Sequence, residues 1–321
     1  MRSGSLSVTG ATGFLGWNIT DVFLRHGWDV RAVVRPGNLK SLPVRAKVIE
    51  AALEPAALTK AFAGSEVVVH CAALVRAQSE EVFNAVNIEG TRAAAEAARR
   101  VGARFIQISS QAAGGPGTTA HPRSERDVDA PVNAYGRSKL ASETAVRTTP
   151  RLEWTILRPS AVYGPRDRGF LPLFRMAQRG FLFSPTPPHT PYTLIHVSDL
   201  VEAVRLTVLS SAAIGETMYI GHDSPRTAYQ VMRVLGSASG RRAKPHRIPG
   251  FILSAAAAMG DRSWKKGSVP LVDSGRVAEF RAPGFVCAVE RARDVLGFEA
   301  DVALEDGVAR TARWYRDQGW L

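Results

Sequence analysis

The sequence predicts an α/β protein: a doubly wound parallel sheet followed by a small, mostly helical C-terminal region. Three observations carry this. Apolar strand patterns alternate with helical ones through the first half of the 321 residues, and such alternation implies a parallel sheet with right-handed crossovers. A glycine-rich turn, Gly10-Ala-Thr-Gly-Phe-Leu-Gly16, separates the first strand from the first helix. Val67-Val-Val-His-Cys-Ala-Ala73 is a continuous apolar run, the pattern of a strand buried on both faces.

In chain order, residues 5–9 read as a strand. Phe14, Leu15, Ile19, Val22 and Phe23 then keep helical spacing as far as Gly27, a C-cap. Residues 29–35 form a second strand and 55–62 a short helix, before the apolar run. Residues 80–101 read as one long Ala-rich helix and 105–110 as a strand. A Gly/Pro-rich loop runs from 114 to 131. Residues 134–147 are helical and 154–159 extended. Residues 193–197 and 216–220 are expected to return to the same sheet, with a helix over 199–209 between them. The domain reading follows: 1–165 is a dinucleotide-binding Rossmann-type unit, completed by about 190–225. Residues 166–190 and 226–300 form a substrate region, in which 169–191, rich in Pro and aromatics, reads as a cap or lid over the crevice, and 301–321 is a closing helix.

Net charge is +12. Nucleic acid would account for it, but no recognition motif for nucleic acid is present, and an anionic cofactor or an Arg-rich background accounts for it as well. No stretch is long and apolar enough to span a bilayer. The glycine turn comes too early for a signal peptide. The only cysteines are Cys71 and Cys287, without zinc-ligand spacing to histidine, so no metal is expected. Cys71 falls in an apolar strand, and a reducing, cytoplasmic setting is expected. A homodimer is left open.

The glycine turn has the strand–turn–helix context of a dinucleotide fingerprint. Gly10 permits the tight turn, Gly13 the approach of a pyrophosphate, and Gly16 close packing of helix on strand. The helix N-terminus offers free N–H donors to phosphate. Gly10 to Gly16, Arg35, Ala72 and Ser110 all fall at carboxyl ends of strands, where such sheets bind ligands. Tyr135 and Lys139 are one helical turn apart on one face. A phenol of pKa about 10 is a poor acid or base at neutral pH, and a neighbouring ammonium lowers it. With a serine to hold an oxygen, the set suits carbonyl–alcohol interconversion.

Together these motifs resemble the extended short-chain dehydrogenase/reductases (NAD-dependent epimerase/dehydratase-like). Thr9–Gly16 resembles the cofactor loop, and Val69-His-Cys-Ala-Ala73 the segment near the adenosine. Asn87-Ile-Glu-Gly-Thr91 resembles the Asn-Val-x-Gly-Thr motif. Leu157-Arg-Pro-Ser-Ala-Val-Tyr-Gly-Pro165 resembles the turn into the substrate domain. Val197-Ser-Asp-Leu200 and Ala292–Phe298 also match. The order covers nearly the whole chain. The resemblance implies that Ser110 holds the substrate oxygen, Tyr135 is the general acid/base, and Lys139 contacts the nicotinamide ribose and tunes Tyr135. The family's Ser-x-x-x-x-Gly spacing, counted back from Gly115, selects Ser110 over Ser109. The cofactor-binding set it implies is Gly10, Thr12, Gly13, Phe14, Leu15, Gly16, Arg35, Lys40, Ala72, Ala73, Asn87, Ser109, Tyr135, Lys139, Pro159, Ser160 and Val162. Gln111, Phe170 and Phe174 would meet substrate. An acidic adenine contact found in many members is replaced by Ala52.

Cofactor and substrate follow from departures. An NAD site usually ends its second strand with an acid. Here Arg35 stands at that end with Lys40 nearby, as in the dihydroflavonol-reductase-like branch, and Arg pairs bidentately with a 2′-phosphate. NADP(H) is therefore favoured, with NAD(H) the alternative. Sugar-nucleotide members carry an Asn where this chain has Ala161. The run 248–259 resembles the Pro-led apolar helix of 3β-hydroxysteroid dehydrogenase-like members. With Phe170, Leu171, Phe174, Phe181 and Phe183 it points to an apolar small-molecule substrate: steroid-, terpenoid- or flavonoid-like. Plain packing within a small domain explains the run equally well. Membrane-surface contact, given the Arg and Lys around it, ranks below both. The expected activity is NAD(P)-dependent ketone/alcohol oxidoreduction. The alternatives are a nucleotide-sugar epimerase/dehydratase and a non-catalytic dinucleotide-binding protein.

Overall fold

The central sheet is parallel throughout. The computed structural model describes residues 4–38, 42–240, 245–265 and 268–321. Its strands are β1 (Ser5–Thr9), β2 (Asp29–Val34), β3 (Lys47–Glu50), β4 (Val67–His70), β5 (Arg104–Ile108) and β6 (Trp154–Pro159), with Thr217–Ile220 at the far edge. The order is β3-β2-β1-β4-β5-β6 and then Thr217–Ile220. Val8 pairs with Ala32 on one side and Val69 on the other, so the winding reverses at β1. Strand order reverses where ligands bind in such sheets.

The apolar runs become the core. Leu6, Val8, Val68, Val69, Phe105, Ile106, Ile156 and Leu157 are all 0 % exposed, and each such side chain contributes about 1.5–3 kcal/mol by leaving water. The helix Phe14–Arg25 covers one face with Val197–Leu209. Pro55–Phe62 and Gly90–Val101 cover the other. His70, although central, is a satisfied core residue. It shares hydrogen bonds with Thr9 (2.8 Å) and Thr91 (3.2 Å), and burial, with Lys139 nearby, lowers its pKa to about 3.

Two expectations need correction, and one strand has no counterpart in the sequence pattern. Residues 193–197 do not return to the main sheet: Leu194–His196 pairs instead with Ala161–Tyr163 in a separate two-stranded sheet. The predicted helix 80–101 is broken by a π-helical segment, Asn84–Glu89. β3 escapes the apolar pattern because it is an edge strand with three exposed residues of four. The C-terminal helix Leu304–Asp317 packs with Phe174, Leu182 and Val231 in a further core.

Candidate active site

The crevice is built from the carboxyl ends of the strands. Gly10 takes φ +66°, and the Gly13 N–H donates to the Gly10 carbonyl at 2.9 Å, closing the turn. A Cβ on Gly16 would stand 2.3 Å from that same carbonyl oxygen, so only glycine lets helix and turn pack. The helix Phe14–Arg25 starts without a side-chain cap and without an acid in its first turn. Its leading N–H groups are therefore left for an anion. The loop after β4 closes the other wall: the Ala72 N–H donates to Thr9 Oγ1 at 3.3 Å.

A cavity of about 620 Å³ opens beyond the turn. Arg35 and Asn38 lie on one side, and Ala52, Leu53, Ala85 and Val86 form an apolar wall. Asn38 Nδ2 donates to Thr12 Oγ1 at 3.2 Å, and the Gly37 N–H to Glu50 Oε2 at 2.8 Å. Arg35 is exposed and makes no ion pair among the described residues. An uncapped helix start and an apolar slot fit the pyrophosphate and adenine of a dinucleotide. Lys40 lies outside the described residues.

Tyr135 and Lys139 sit on the helix Ala134–Arg147. Asn133 caps it, accepting from the Gly136 N–H at 2.9 Å, while its amide nitrogen donates to Glu279 at 2.7 Å. Lys139 is 2 % exposed, and its ammonium donates to the Ile108 carbonyl at 2.7 Å. Burial lowers its pKa to about 8, with Glu143 one turn on working to raise it. Tyr135 is half-buried beside Phe83. Burial pushes its phenol up to about 12, with the Ser110 hydroxyl drawing it down. The neutral phenol is the form that gives up a proton.

The two serines part company. Ser110 Oγ accepts from the Ala112 N–H at 3.1 Å and faces Tyr135. Ser109 turns inward and donates to Glu143. Asn87, 1 % exposed, is carried inward by the π segment. Its amide bonds the Leu74 N–H (2.7 Å), the Leu74 carbonyl (2.9 Å) and Ser138 Oγ (2.9 Å). Asn87 thereby ties the loop beyond Ala72 and Ala73 to the helix of Tyr135. π-helical turns concentrate at functional sites.

At the next strand ends, the Gln111 amide nitrogen and the Ser160 hydroxyl are buried without a hydrogen-bond partner. Buried polar groups are rarely left unpaired, and Gln107 Oε1 and His196 Nε2 share that state among the described residues. Pro159 is buried, and Val162 packs on the sheet core. Phe174 does not reach the crevice: it is 3 % exposed and packs edge-on against Tyr315 at 5.0 Å. Phe170 lies against Tyr163 at 6.1 Å. Both fill the C-terminal core, because aromatic spacing alone does not separate a pocket wall from packing.

The spacing of residues did not reveal a buried charge cluster behind the site. Arg158, 2 % exposed, binds Glu143, which is 0 % exposed, through Nε (2.9 Å) and Nη2 (2.7 Å). It also holds Asp129 through both Nη atoms, at 2.7 and 2.9 Å. Glu143 at Lys139 plus four was the available signal.

The family model described as NAD dependent epimerase/dehydratase family matches residues 6–221. The chain belongs to that family. It is thus an extended short-chain dehydrogenase/reductase. It is 33% identical to the ceramide reductase of Caulobacter vibrioides, over 99% of this chain and 96% of that one. Human 3 beta-hydroxysteroid dehydrogenase type 7 is 28% identical over 96% of this chain and 94% of its own. Among solved structures, MoeE5 in complex with UDP-glucuronic acid and NAD superposes with a TM-score of 0.78 at 25% identity, covering 98% of this chain and 100% of that one. This family member is an NAD(P)-dependent oxidoreductase. No helix among its described residues is long and apolar enough to cross a membrane.

Proposed function

We propose that the enzyme reduces a ketone on an apolar, lipid-like substrate with NADPH, Tyr135 supplying the proton. The observation that carries this is the convergence of Tyr135, Lys139 and Ser110 beside an uncapped helix start and a cavity edged by Arg35. When bound, the reduced nicotinamide supplies a hydride to the carbonyl carbon. Ser110 donates a hydrogen bond to the carbonyl oxygen, and Tyr135 gives that oxygen its proton. Lys139, one turn along the same helix and held by the Ile108 carbonyl, would supply the positive charge that offsets the phenolate left behind. Gly10, Gly13 and Gly16 with Phe14 and Leu15 hold the pyrophosphate; Ala52 and Leu53 wall the adenine; Arg35 pairs with the 2′-phosphate.

The lipid-like substrate is supported by the relative named for ceramide. Its steroid-named relative and the apolar C-terminal region agree with it. Sugar-nucleotide epimerisation is the second reading, favoured by the fold of MoeE5 and opposed by Ala161, which has no polar side chain to offer a nucleotide phosphate. A panel of long-chain, steroid and flavanone ketones followed by NADPH absorbance tests the substrate class. Arg35→Ala is expected to weaken NADPH binding about 10- to 100-fold, the size of a charge-assisted pair, with NADH little changed. Equal losses for the two cofactors, by fluorescence titration, would refute the phosphate role.

A further inference from the structure

The helix Gly250–Lys265 leaves an apolar stripe in solvent. Phe251, Ile252 and Met259 are 75 %, 46 % and 68 % exposed, with exposed Ala255 and Ala258 between them. This i, i+1, i+4, i+7, i+8 spacing is one face of a helix. The opposite face is anchored: Leu253 and Ala257 pack on Val277, and a Cβ at Gly260 would meet the Val272 carbonyl at 1.9 Å. More apolar groups flank the two ends. Leu182–Ser184 pairs with Pro245–Arg247, just before the helix, and exposes Phe183 (43 %) beside Phe181 (59 %). Beyond the other end, Val269 and Leu271 are 65 % and 62 % exposed. Arg76 fixes that segment by donating to the Pro270 and Leu271 carbonyls at 2.8 and 3.3 Å. Apolar patches of this kind mark interaction surfaces.

Charge names the partner. Residues 241–266 hold seven Lys or Arg against the single acid Asp261, so half of the net charge of +12 lies in this one short segment. Arg247 and Arg262 are exposed, and Arg281 reaches over to Ser254 on the same helix. Asp261 is occupied by Ser274. A second copy would bring like charges together. An anionic bilayer satisfies both the apolar stripe and its basic rim, and a helix of 16 residues is too short to span it.

We propose that this face docks on an anionic lipid bilayer, with Phe251, Ile252 and Met259 inserted at the headgroup boundary. The site lies close by. The helix Ser274–Arg281 packs on the docking helix, and its Glu279 bonds Asn133, the cap of the Tyr135 helix. The docking helix is thereby linked to the Tyr135 helix through Ser274–Arg281; delivery of a lipid ketone from the membrane rests on the proposed function.

The test is co-sedimentation of the NADPH-loaded full chain with vesicles. Wild type should bind vesicles of equal parts phosphatidylcholine and phosphatidylglycerol, and pure phosphatidylcholine about tenfold more weakly. Phe251→Ser/Ile252→Ser/Met259→Ser should lose about tenfold on the anionic vesicles with NADPH affinity unchanged. Should that variant misfold, Arg247→Glu/Arg262→Glu should show the same loss. Binding equal to wild type in a folded variant, or no binding of wild type, overturns the proposal. So does a wild-type dimer that the apolar variant dissociates in sedimentation velocity, which would assign the face to a second copy. No ketone is present in the assay, so vesicle docking and the ketone reading fail separately.

Discussion

Tyr135→Phe is expected to lower kcat for ketone reduction by about 10²- to 10⁴-fold, the contribution of a positioned general acid. NADPH affinity should stay within about twofold, because the phenol acts on the substrate oxygen rather than on the phosphates. The substitution removes one oxygen from a half-buried side chain whose ring keeps its contact with Phe83. The helix cap at Asn133 and the Lys139 bond to the Ile108 carbonyl do not involve that oxygen. Stability should therefore change little, and the loss belongs to the chemistry. Single-turnover kinetics with matched thermal midpoints would check this; undiminished turnover would remove Tyr135 from its assigned role.

Arg158→Met is expected to cost about 3–5 kcal/mol of stability, as breaking a buried ion pair from one side does. Arg158 contributes five hydrogen bonds, to Glu143, Asp129 and Tyr219. Without it Glu143, fully buried, keeps only Arg147 and Ser109 among the described residues. The double variant Arg158→Met/Glu143→Leu should recover part of the loss, since no uncompensated charge remains buried. Denaturant unfolding of both variants decides it; strictly additive losses would show that the two side chains are not coupled. The same cluster touches the site at two points, through Ser109 at the end of β5 and through Glu143 beside Lys139.

How much of this was legible in the sequence varied with the physics involved. The glycine turn, β4 and the Tyr135 helix declare themselves because burial and backbone geometry restrict their residues directly. β3 is hidden because an edge strand needs only a partial apolar face. Leu194–His196 has a strand's composition, but composition does not say which strand it pairs with. Asn87 was legible as a motif residue; that it braces the Tyr135 helix depends on a π turn no periodicity announces. Phe174 and Glu143 show the same limit from opposite sides: one aromatic sits in core packing, and one carboxylate is buried beside Lys139. Burial of a side chain is set by tertiary neighbours, and these two sites are decided there.

The most direct measurement is isotope transfer from NADPH deuterated at the nicotinamide C4, with a long-chain ketone as acceptor and the product read by mass spectrometry. Net reduction predicts one alcohol formed per NADPH consumed, with a single deuterium on the carbinol carbon. Recovery of starting material or its epimer, with the cofactor neither consumed nor stripped of its label, would contradict the assignment as a reductase.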